Sequence, residues 1–89
     1  MKISEILPKL SSLYNYIPYI EVVRPSEEAG PDGELITRIE RFDITGFTEA
    51  EIQKLIDNLK TIYPDAINFQ VHFCGHIVKK RCYIYELEV

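Results

Sequence analysis

The sequence predicts an α+β domain of order αββαββ, a two-layer sandwich with a four-stranded sheet and two helices on one of its faces. Three observations predict it. Two segments carry apolar residues at spacings of three and four, each is followed by two segments that read as strands, and turn-forming residues separate the members of each pair. Eighty-nine residues suffice for one core, since a second would be too small to offset its own ordering entropy, so residues 1–89 are expected to form a single domain.

The first stripe is Ile3, Ile6, Leu7, Leu10, Leu13 and Ile17, which predicts a helix over about residues 4 to 16 with Ser4 as N-cap and Pro18 as terminator. Pro8 also suits a first helical position, so the start is open by one turn. Ile20 and Val22 then alternate with Glu21, a strand over about 19 to 24, and residues 25–33 have turn chemistry throughout and predict an exposed acidic loop. Residues 34–44 read as a strand with a bulge near Ile39 to Arg41. Leu35, Ile36, Ile39 and Phe42 also fit one face of a helix, and both readings stay open.

The second helix has the clearest boundaries. Thr48 and Glu51 form a capping box, Phe47 and Ile52 form the hydrophobic staple beside it, and Ile52, Leu55, Ile56, Leu59, Ile62 and Tyr63 make one apolar stripe that stops at Pro64. In the next strand Ile67, Phe69, Val71 and Phe73 alternate with Asn68, Gln70, His72 and Cys74. Gly75-His76 suits a two-residue hairpin turn into a last strand over 77 to 87. The expected core is Ile6, Leu10, Leu13, Ile20, Val22, Ile52, Leu55, Ile56, Leu59, Ile67, Phe69, Val71 and Phe73.

Residues 1–46 and 47–89 echo one another: Glu5 with Glu51, Ile6 with Ile52, Leu10 with Ile56, Leu13 with Leu59, Pro18 with Pro64. Helix register alone can generate such matches, so they support a repeated architecture without proving duplication. The order αββαββ resembles a ferredoxin-like βαββαβ arrangement cut after its first strand and rejoined. That resemblance implies that the strands ending each half lie at the sheet centre and that the face opposite the helices is open.

Composition narrows the function classes. A net charge of −4 opposes a general attraction to nucleic acid or anionic lipid. No apolar run approaches the roughly 18 residues of a spanning helix, and the N-terminal segment has prolines and charges where a signal peptide would be apolar, so a cytoplasmic protein is expected. Cys74 and Cys82 match no zinc spacing and are expected as free thiols.

Function is then sought on the open face. A two-residue turn at Gly75-His76 sets His72 and Cys74 on the same side as Lys79, Arg81, Tyr83 and Tyr85, whereas Val78, Cys82 and Ile84 join the core. The candidate binding residues are therefore His72, Lys79, Arg81, Tyr83 and Tyr85. With Tyr19 and Val23, the two late tyrosines make a patch that suits a homodimer or another protein partner, in a small non-catalytic binding or regulatory module. The alternative is a single-stranded nucleic-acid surface, with tyrosines stacking bases and Lys79 and Arg81 holding phosphates.

A third class is a metal or thiol site centred on Cys74. His72, Cys74, His76 and Cys82 are the potential ligands, but Cys82 is expected on the other face, so no metal or cofactor is predicted. Cys74 beside His72 resembles a nucleophile and base, yet no oxyanion-forming loop follows it, and no catalytic residue is assigned. The acidic loop lacks calcium-loop spacing; a basic partner is the one recruit its charge would favour.

Overall fold

The computed structural model describes residues 1–75 and 81–89, with the side chains of all of these except 27–29 and 35. After a 3-10 turn (Ile3–Glu5) come helix α1 (Ile6–Ser12), strands β1 (Tyr16–Ala29) and β2 (Leu35–Asp43), helix α2 (Glu49–Ile62), and strands β3 (Asn68–Gly75) and β4 (Cys82–Glu86). The strands form one antiparallel sheet in the order β2-β1-β3-β4. The fold is α+β, an open four-stranded sheet with two helices, and residues 34–44 take their strand reading. No helix among the described residues is long and apolar enough to cross a membrane.

One face of the sheet carries the core. Ile20 pairs with Val71 and Val22 with Phe69, and these side chains, with Phe73, pack against Ile6 from α1 and Ile52, Ile56 and Leu59 from α2. All nine are buried. Ile44 and Leu87 complete the cluster, and Leu10, Leu13 and Leu55 pack against it from partly buried positions. Ile67 departs from expectation: it lies one residue before β3 begins and is 53% exposed.

The strand order differs from the one the ferredoxin-like resemblance implied. The central strands are those that begin each half, and β2 and β4 are edges. Apolar content explains the choice, because β1 and β3 supply five buried core side chains, whereas β2 adds, among the described side chains, only the partly buried Phe42 to the packed cluster. The most apolar strands take the positions where burial removes most surface from water.

Helix α1 is shorter than its apolar stripe. It ends at Ser12, Leu13 leaves helical geometry, and Tyr16 already pairs with Gly75. Pro18 therefore lies inside β1 rather than terminating the helix. Its carbonyl accepts the Ile44 N–H at 3.1 Å, so its nitrogen points to the same side, past the end of β2. The Ile44 carbonyl that an amide there would serve takes the Phe47 N–H instead, at 3.0 Å. Proline is tolerated because no ladder bond is missing. That Ile44-to-Phe47 turn requires a positive φ at its third residue, which Gly46 supplies at 79°.

At the start of α2 the capping box is formed: Glu51 N–H donates to Thr48 Oγ1 and Thr48 N–H to Glu51 Oε1, each at 3.2 Å. The expected bulge near Ile39 to Arg41 is absent, since residues 37–43 run in unbroken register with 25–19. The irregularity lies on β1, where 25 to 29 faces only 37 to 35, and β1 takes up much of the segment expected as loop.

Candidate binding face of the sheet

Paired residues of neighbouring strands project to the same side, so the face away from the helices is read directly from the register. It carries Tyr19, Glu21 and Val23 of β1, Ile39 and Arg41 of β2, Gln70, His72 and Cys74 of β3, and Cys82 and Ile84 of β4. Glu21 is at its centre, facing Arg41 on one side and Gln70 on the other.

Although no second layer of described residues covers this face, Glu21 is 1% exposed. Its neighbours close over it. Arg41 donates Nε and Nη2 to Glu21 Oε1, each at 2.6 Å, and its guanidinium lies 4.8 Å from the centre of the Tyr19 ring. His72 Nε2 is 3.0 Å from Glu21 Oε2 and 2.9 Å from Gln70 Oε1. A carboxylate only accepts, so Nε2 carries the proton that the two acceptors share. Burial is the larger influence on the ring and pushes its pKa below the ordinary 6.5; Arg41 acts in the same direction and Glu21 against both. A buried carboxylate is expensive unless paired, and here both oxygens are engaged.

Around this neutralised centre the face is apolar at its margins. Ile39 on β2 is 57% exposed and Ile84 on β4 is 55% exposed. Cys74 and Cys82 face each other directly and form a disulfide with a Cα–Cα distance of 4.2 Å. Gly75 N–H donates to the Arg81 carbonyl next to them, so the cysteines occupy a non-hydrogen-bonded pair, where facing side chains come closest. The expected free thiols are thus a bonded pair. A nucleophilic Cys74 therefore loses its ground.

The register also moves two of the candidate binding residues. A two-residue turn at Gly75-His76 would set Cys74 opposite position 77, but Cys74 pairs with Cys82, an odd shift of five residues. An odd shift exchanges the faces of the whole strand. Cys82 and Ile84 therefore stand on the open face, while Tyr83 and Tyr85 are on the helix side. Tyr85 packs edge-on to Phe73 at 6.1 Å and lies under the Lys9 ammonium at 4.7 Å; Tyr83 packs edge-on to Tyr16 at 5.3 Å. His72 is on the open face as expected, Arg81 is exposed just before β4, and Lys79, Val78 and His76 lie outside the described residues. Among the described residues no cluster of His, Cys, Asp or Glu is placed to hold a metal.

Glu21 and Arg41 were missed as site residues. The available signal was Glu21 itself, a charge between Ile20 and Val22 in an otherwise apolar run, which needs a partner wherever its strand is central. On the helix side, a groove of about 580 Å³ lies between α1, the start of β1 and the β2–α2 turn, lined mainly by Leu7, Leu10, Tyr14, Tyr16, Pro18 and Phe47. It holds no ionisable group beyond the two tyrosines. Comparison with known families, curated proteins and solved structures finds no match.

Proposed function

We propose that the chain is a small non-catalytic binding module that takes a protein partner on the open face of its sheet. The observation that carries this reading is the pairing of exposed Ile39 and Ile84 at the margins with a charge-neutralised Glu21–Arg41–His72 centre. Covering the margins removes apolar surface from water, at about 25 cal/mol per Å². Covering the centre desolvates charges that already have partners, which costs less than burying free ones. The homodimer first expected through Tyr83 and Tyr85 does not follow from those rings, which pack on the helix side. Single-stranded nucleic acid is disfavoured for the same reason and by the net charge of −4. Catalysis is disfavoured because both oxygens of Glu21 are engaged and both cysteines are bonded.

The test compares the wild type with an Ile39→Asp/Ile84→Asp double variant, each immobilised and offered an extract of the cells that make it. A partner held by the wild type should be lost by the variant while circular dichroism is unchanged. Hydroxyl-radical footprinting of the complex should protect Tyr19 and Ile84. Equal retention by both forms, or protection confined to the helix side, rejects the reading.

A further inference from the structure

We infer that two copies of the chain join edge to edge through β2, about a two-fold axis at Ile39, to form one continuous eight-stranded sheet. β2 is a sheet edge, and residues 37–43 run in unbroken register without proline, so nothing in the strand's own covalent structure blocks pairing. An unblocked edge of this length is a template for another strand.

The direction of each amide follows from two hydrogen bonds. Ile44 donates to the Pro18 carbonyl on the β2 side of β1, and Ile67 donates to the Val23 carbonyl on the β3 side. Even-numbered residues of β1 in this stretch therefore turn their backbone groups toward β2, and odd-numbered ones toward β3. Their β2 partners Arg38, Glu40 and Phe42 turn inward to β1. Thr37, Ile39, Arg41 and Asp43 consequently present N–H and C=O groups off the edge of the sheet.

For a second copy of the chain, the charge pattern leaves one register among axes at residues 37–41. In an antiparallel self-pairing about a two-fold axis, residue numbers facing each other have a constant sum. An axis at Arg38, Glu40 or Arg41 sets like charges against each other on the axis itself. An axis at Thr37 opposes Glu40 to Glu34. An axis at Ile39 opposes Arg38 of one copy to Glu40 of the other, twice, and opposes Ile36 to Phe42, Thr37 to Arg41, and Ile39 to itself. It also aligns the outward amides of Thr37, Ile39 and Arg41 with those of the second copy, giving about six N–H···O bonds across the join. Arg38 is exposed, and Glu40, 3.3 Å from Arg24, gains a second cation.

A two-fold axis perpendicular to the sheet keeps both helical layers on one side. The open faces then merge into one surface and remain free, so the dimer does not depend on what the open face binds.

Sedimentation of the purified chain from micromolar to millimolar concentration should show a mass rising from one chain to two. Arg38→Glu and Glu40→Lys should each raise the dissociation constant about tenfold or more, since each sets like charges across the axis twice. An equimolar mixture of the two variants should recover dimer, because the carboxylate introduced at position 38 then faces the ammonium introduced at position 40. Ile84→Asp, on the far edge, should leave the dimer intact. A monomer at every concentration, no recovery on mixing variants whose circular dichroism is native, or loss of the dimer in Ile84→Asp would each overturn the inference.

Discussion

At the scale of single residues, His72 is one group through which solution pH reaches the sheet. Its ring is held neutral by burial and by the Arg41 charge, with a folded pKa below 6.5, while the unfolded chain titrates near that ordinary value. As pH falls below about 6.5 the unfolded state therefore takes up a proton that the folded state still refuses, and stability declines until the folded pKa is passed. His72→Gln should remove this component while keeping a donor toward Glu21. Urea midpoints measured across this range should show the wild type losing stability relative to the variant as pH falls. A constant difference would show that the Glu21 carboxylate balances burial at the ring, and one of opposite sign that it outweighs it.

At the scale of elements, the β3–β4 hairpin depends on the covalent link between its strands. Closing a loop with a sequence separation of 8 lowers the entropy of the unfolded chain, worth about 2.5 kcal/mol at 25 °C in the loop-closure description. Reduction, or a Cys74→Ser/Cys82→Ser double variant, should lower Tm by roughly 10 to 20 °C for a domain of this size. The double variant should in addition be indifferent to reductant. Identical melts with and without reductant would mean that the cross-link adds nothing. The same hairpin marks where sequence reasoning stopped. α2 was legible because Thr48, Glu51 and the stripe to Leu59 act locally, and the faces of β1 and β3 were legible from strict alternation of Ile20 with Val22 and of Phe69 with Val71 and Phe73. The face of β4 depends on the parity of a connection, which a plausible Gly75-His76 turn misassigned. The C-terminal end of α1 and the strand order are set by competition between elements: residues 16–18 are drawn into the sheet by β3, although their spacing continues the helical stripe.

At the scale of the whole molecule, two layers measure 42 × 31 × 17 Å, and thickness is the smallest extent. In so thin a body protection from solvent varies across the sheet rather than with depth alone. β1 and β3 are paired on both sides, and β2 is paired on one. The outer strand should therefore be read by deuterium as a comb: in the isolated chain the amides of Arg38, Glu40 and Phe42 are held by β1 and exchange slowly, while those of Thr37, Ile39 and Arg41 exchange fast. Residue-resolved exchange would register any strand that docks there as the disappearance of the teeth. A second copy paired about Ile39 should protect the fast amides in one step, with Ile39 at the centre of the effect, and dilution should bring the comb back.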